Sequence, residues 1–228
     1  MNLHTSREFE RELRTLRERL LAMAGRAEQQ IRRAIEALRR QDDALAETVI
    51  VDDKVIDQDE VEIDELAFLI MARRQPVASD LRFVMVSLKI VTDLERIGDL
   101  AVNIAKRVRE VSRHPPEPAI TQEIERLGTA VMDELRRVLD AFVSGDVAAA
   151  ERVIADDAGI DALNTRIIQS ILASATRDGS RETGGWLALS SISRYLERIG
   201  DHATNIAEMV IYYVRGRDVR HHGGPRGG

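Results

Sequence analysis

Four short motifs in this chain set an acid and an aspartate four residues apart: Asp53/Asp57, Glu95/Asp99, Asp157/Asp161 and Glu197/Asp201. On an α-helix, residues i and i+4 share a face, so each pair directs two carboxylates the same way. Like charges so placed cost about 0.2–0.5 kcal/mol per pair unless a positive charge lies between them. A single pair in an acidic chain reads as a solvated face. Several pairs brought onto one patch would form an oxygen-rich site for a hard or borderline cation.

The spacing brings them together. If the helices carrying Asp53/Asp57 and Glu95/Asp99 form an antiparallel hairpin, residues equidistant from its turn lie level. Asp57 with Glu95 and Asp53 with Asp99 are both centred on Pro76. Asp161 with Glu197 and Asp157 with Asp201 are both centred on Gly179. Asn103 and Asn205 each follow an Asp by four residues, where an amide could orient the site or ligate through its oxygen. Asp52 and Asp156 recur but point elsewhere, and Asp59 reads as surface. Gly98 and Gly200 sit mid-helix, where glycine costs about 1 kcal/mol relative to alanine; close helix approach or room beside the acids would explain them. The competing reading is an acidic belt neutralised by arginine. Arg96 and Arg198 are adjacent to the acids but off their face, whereas Arg32 or Arg136 from the first helix of each bundle would have to reach across.

The elements that must position these acids are legible from apolar spacing. Leu13, Leu16, Leu20, Met23, Ala27, Ile31, Ala34 and Leu38 form a helical stripe, ended by the Gln41-Asp42-Asp43 run. Val49, Ile56, Ile63 and Ile70 recur every seven residues, and a third stripe follows Gln75-Pro76. The proline cluster from His114 to Pro118 reads as a linker. Three more helical stretches follow, near residues 120–143, 147–177 and 186–215, with Trp186 packing at the start of the last. Residues 94–105 read LERIGDLAVNIA and residues 196–207 read LERIGDHATNIA, ten of twelve identical; residues 49–57 (VIVDDKVID) and 153–161 (VIADDAGID) also match. The expected fold is therefore all-α, two tandem repeats of an antiparallel three-helix bundle. Residues 1–114 and 119–215 make the repeats, and 216–228 make a disordered tail.

Composition narrows the chemistry. The chain has 228 residues, 33 Lys+Arg against 39 Asp+Glu, and no cysteine. That excludes disulfides, thiol nucleophiles and thiolate metal sites. Net acidity argues against whole-surface nucleic-acid binding, and no stretch approaches the roughly 20 apolar residues of a membrane span. None of His4, His114, His202, His221 or His222 lies three residues after a Glu, so the Glu-x-x-His pattern of di-iron bundles is missing. His202 aligns with Leu100 in the repeat and reads as packing or surface. There is no Gly-rich phosphate loop and no GxSxG. Residues 42–66 hold eleven acids and one Lys, while residues 1–40 hold ten Arg and six Glu. The two could pair with each other or offer docking faces. A metal-dependent carboxylate enzyme or storage protein, and a purely structural scaffold, are the alternatives to a binding and regulatory role.

VTDLERIGDLAVNIA at residues 91–105, RYLERIGDHATNIAE at 194–208 and RQPVASDLR at 74–82, with the paired DD-xxx-D segments, resemble the PhoU family of phosphate-signalling regulators. The resemblance covers about residues 5–214. It implies a non-enzymatic, cytoplasmic, usually dimeric protein of two three-helix bundles. It also implies multinuclear sites for iron, zinc, manganese or magnesium on Asp53, Asp57, Glu95, Asp99, Asp157, Asp161, Glu197 and Asp201. The implied partners are a phosphate ABC transporter, through its ATPase, and a membrane sensor histidine kinase. The implied role is to damp phosphate-starvation signalling when phosphate is plentiful, with any membrane association peripheral and through those partners.

Overall fold

A computed structural model of the chain describes residues 3–112, 118–178 and 184–216. Most of the proline linker, the Gly179 turn and the tail from residue 217 lie outside them. Among the described residues there are seven helices and no strand: α1 (Leu3–Arg40), α2 (Asp43–Asp52), α3 (Lys54–Arg74), α4 (Ala78–Ser112), α5 (Pro118–Ser144), α6 (Val147–Asp178) and α7 (Gly184–Arg215). The helical segment that carries the seam from Val49 to Ile70 is interrupted at Asp53. The backbone there stays right-handed, and Ile56 N–H donates to the Asp53 carbonyl at 2.8 Å, a three-residue step in place of four. None of the described helices is long and apolar enough to cross a membrane.

The helix ends repeat in the two halves. Gln41 and Gly145 both adopt left-handed backbone, with φ of 53° and 67°. The following Asp42 and Asp146 donate their N–H groups to Ala37 and Ala141 carbonyls at 2.9 and 3.0 Å. Their carboxylates then cap the next helix, accepting from Leu45 N–H at 2.9 Å and Ala149 N–H at 3.0 Å. Each bundle therefore turns its first helix into its second by the same device.

The stripe on α1 is buried from Leu16 to Leu38. Val49, Ile56, Ile63 and Ile70 are buried on α2 and α3, and Val153, Ile160, Ile167 and Ser174 repeat that seam on α6. A seven-residue seam is narrow, so these outer helices keep much of their surface polar. The two motif helices, α4 and α7, pack against each other across the repeats, and α1 meets α5. One apolar core consequently runs through both bundles.

The α1–α5 crossing depends on Gly128. A Cβ there would lie 2.1 Å from Ile35 Cδ1 and 3.1 Å from Ile35 Cγ1. Gly25, in the exposed face of α1, has nothing within 4 Å of such a Cβ. The two glycines should respond oppositely to alanine. Gly128→Ala is expected to destabilise by about 1–3 kcal/mol through overpacking, partly offset by better helix propensity. Gly25→Ala should stabilise by about 0.5–1 kcal/mol. Denaturant melts of the two variants check the signs.

The opposed charge runs pair with each other. Arg19 meets Glu62 at 2.7 Å, Arg26 meets Asp59 at 3.0 Å and Arg33 meets Asp52 at 2.7 Å. Arg74 grips Glu12 through two bonds of 2.8 and 2.9 Å, and that hydrogen bonding holds Glu12 below the usual carboxylate range. Asp59 is therefore half-buried and ion-paired, not simply surface.

Candidate metal centres

The acids stand where narrow seams meet the motif helices. Asp53 and Asp57 flank buried Ile56; Asp157 and Asp161 flank buried Ile160. Opposite them on α4 and α7, Gly98 and Gly200 are also buried. A Cβ at Gly98 would lie 3.2 Å from Asp53 Oδ1 and 3.2 Å from Ile56 Cδ1. At Gly200 it would lie 3.2 Å from Ile160 Cγ2 and 3.4 Å from Asp157 Oδ1. Each glycine thus lets two helices approach closely beside an acid, which is the reason for a costly residue in mid-helix.

The level pairs inferred from the hairpin are electrostatic neighbours. Asp53 is pushed above the usual carboxylate range by burial, then by Asp57 and by Asp99 across the hairpin. Burial and the charges of Asp99, Glu60 and Asp57 raise Glu95, with Arg96 opposing. In the second repeat, burial and then Asp161 and Asp201 raise Asp157. Burial with Asp201, Asp161 and Asp157 raises Glu197, and burial with Asp161 raises Asp201. Each patch therefore gathers four motif carboxylates that repel one another, and in the first Glu60 adds its charge beside Glu95. Asn103 is half-buried and Asn205 exposed, one turn farther along.

Arginine does not neutralise the patches as a belt would. Arg32 and Arg136 both turn to Glu28, at 2.6 and 2.5 Å, and do not reach across. Arg96 does fold back, lying 3.4 Å from both Glu95 and Asp99; its long side chain reaches where helical angle alone suggested it would not. Even so, Glu95 remains raised. Among the described residues no three His, Asp or Glu side chains are gathered closely enough to hold a metal ion as they stand.

Other polar groups stand in or beside the patches. Gln30 on α1 and Glu134 on α5 are buried. The Gln30 amide leans towards Asp53 and opposes its raised pKa, but neither amide atom completes a hydrogen bond of normal geometry. Glu134 is pushed up to about 7 by burial and by Asp157. His202 departs from its packing role: its Nδ1 lies 2.7 Å from Asp93 Oδ1, joining α7 to α4 across the repeats.

Two ranges of the chain, residues 20–108 and 124–210, match the PhoU domain. The chain belongs to the PhoU family. Its two PhoU domains each contain one four-carboxylate patch. It is 40% identical to the phosphate-specific transport system accessory protein PhoU of Serratia marcescens over 224 residues, 98% of this chain and 91% of that one. A PhoU homolog of Pseudomonas aeruginosa is 41% identical over 220 residues, covering 96% and 90%. Among solved structures, PhoU from Pseudomonas aeruginosa superposes with a TM-score of 0.86 at 40% identity, covering 92% of this chain and 100% of that one. The phosphate transport system regulatory protein PhoU from Streptococcus pneumoniae gives 0.85 at 26% identity, covering 92% and 99%. The all-α fold of two repeats is thus the PhoU fold.

Proposed function

We propose that this chain is a non-enzymatic regulatory adaptor of phosphate uptake, and that each PhoU domain holds metal on its paired acid motifs. In this reading it works in the cytoplasm as a homodimer. It couples the ATPase of a phosphate ABC transporter to a membrane sensor histidine kinase and restrains starvation signalling when phosphate is abundant. The observation that carries the metal reading is the doubling of the four-carboxylate patch at level positions on adjacent helices. A structural scaffold needs its apolar seams to recur but has no use for eight clustered acids. Support for the pathway is the near full-length relationship to accessory proteins of phosphate-specific transport.

The donor set fits such ions. All eight acids present oxygen, the ligand atom of magnesium and manganese and one that iron and zinc also accept. Orphaned buried groups, Gln30 Oε1 and Glu134 Oε2, sit beside the patches. Asp53, Asp57, Glu95 and Asp99 would hold the first centre; Asp157, Asp161, Glu197 and Asp201 the second. When bound, a cation supplies the positive charge that these acids lack. The acids on α3 and α6 would then be tied to those on α4 and α7, setting the surface that partners meet.

Deleting the gene in cells grown with abundant phosphate is expected to derepress phosphate-starvation genes, measured as transcript or alkaline phosphatase output. Restoration by the intact chain would support the pathway, and unchanged expression in the deletion strain would contradict it.

A further inference from the structure

The second patch has a member that the acid motifs do not contain. Glu134 stands on α5 and is only 2% exposed. Its Oε2 has no hydrogen-bond partner, and its Oε1 is 3.9 Å from Arg137 Nη2, beyond hydrogen-bond reach. The unpartnered oxygen faces the acids: a Cβ at Gly200 would lie 3.6 Å from Glu134 Oε2 and 3.4 Å from Asp157 Oδ1. Both oxygens border the same gap. A buried carboxylate beside other acids, with one oxygen free of any hydrogen bond and only a distant ion pair to Arg137, is unfavourable, and an apolar side chain there would avoid the cost.

The first repeat places a different residue at this position. Arg33 bonds Asp52 at 2.7 Å and Arg137 bonds Asp156 at 2.5 Å, which sets the register between the repeats. In that register Gln30 is the counterpart of Glu134. Gln30 is 5% exposed, and neither of its amide atoms completes a hydrogen bond of normal geometry. One patch therefore receives a neutral amide from the first helix of its bundle, and the other a carboxylate.

We propose that Glu134 is a fifth carboxylate ligand of the second cation site, whereas Gln30 offers the first site only a neutral oxygen, so the repeats bind cations unequally and the second fills first. This rests on the cation-site reading above. In all-oxygen sites, ligand charge is a main determinant of affinity.

The test is a titration of the metal-free full chain with Mn²⁺ alone, following free Mn²⁺ by electron paramagnetic resonance. The wild type should show a tight class and a weaker class. Asp157→Ala/Asp201→Ala should remove the tight class, and Asp53→Ala/Asp99→Ala the weaker one. Glu134→Gln should weaken the tight class about tenfold or more, and Gln30→Glu should tighten the first site by a similar factor. Circular dichroism melts establish that each variant folds. An unchanged tight class in Glu134→Gln, with that class still lost in Asp157→Ala/Asp201→Ala, would overturn this inference and leave the cation sites standing. Mn²⁺ binding unaltered by either double substitution would instead overturn the sites themselves. Should Glu134→Gln fail to fold, Gln30→Glu decides: no tightening at the first site counts against the proposal.

Discussion

Glu134→Met should make the metal-free protein more stable at pH 8 and give no such advantage at pH 4. Methionine has a similar volume, suits irregular interior space and has no charge to bury. Glu134 is deeply buried, and burial, followed by the charge of Asp157, pushes its pKa up to about 7 from an ordinary 4.5. The folded state therefore holds this proton more tightly than the unfolded chain. The contribution is fully present below about pH 4.5 and is lost as pH rises through about 7. At 1.36 kcal/mol per pH unit, the loss above pH 7 is at most about 3 kcal/mol. The variant does not ionise at this position and keeps that stability. Urea melts of both proteins from pH 4 to 8 check the prediction: the two curves should separate with rising pH. Parallel curves would mean that the fold does not hold the Glu134 proton more tightly than the unfolded chain does. Saturating Mn²⁺ should shrink or reverse the difference, because the wild type then gains a ligand interaction that the variant lacks.

The second large effect is thermal. Asp53, Glu95, Asp157, Glu197 and Asp201 are all raised by burial and by neighbouring carboxylates, so the metal-free protein carries repulsion that a cation would relieve. Free metal at 100 times its dissociation constant stabilises a folded protein by about 2.7 kcal/mol for one site. At roughly 2–4 °C per kcal/mol for a chain of this size, the melting temperature should rise by roughly 5–10 °C for each site so filled. Asp53→Ala/Asp99→Ala and Asp157→Ala/Asp201→Ala should each remove part of that rise while leaving the fold intact. Without metal, each should melt no lower than the wild type, because each removes mutually repelling charge. A double variant that unfolds would identify its acids as structural.

Much of this was legible in the sequence because duplication and periodicity act through backbone geometry. The seven-residue recurrence from Val49 to Ile70 identified a buried seam, and the Pro76 centring placed Asp53 opposite Asp99 without coordinates. The runs of Arg on α1 and acid on α2 and α3 anticipated their mutual ion pairs. What escaped notice depended on contacts between elements. Glu134 and Gln30 resemble ordinary polar flanks of amphipathic helices; only overlaying the repeats 104 residues apart reveals that they share a position. The Asp93–His202 contact crosses from one repeat to the other, and aligning the repeats pairs His202 with Leu100 instead. The interruption at Asp53 has no proline or glycine to announce it. The Arg96 contacts with Glu95 and Asp99 were not legible because helical angle fixes where a side chain starts, not where a flexible one ends.

Metal content offers the most direct test of the central claim that these eight carboxylates form two cation sites. Wild-type protein and the Asp53→Ala/Asp99→Ala/Asp157→Ala/Asp201→Ala variant would be stripped with chelator, reloaded with Mn²⁺, desalted and analysed for metal per chain, with circular dichroism confirming the fold of each. We expect the wild type to retain Mn²⁺, each double variant to lose the share belonging to its own repeat, and the quadruple variant to retain none. Equal metal in the wild type and the folded quadruple variant, or none in either, would contradict the account.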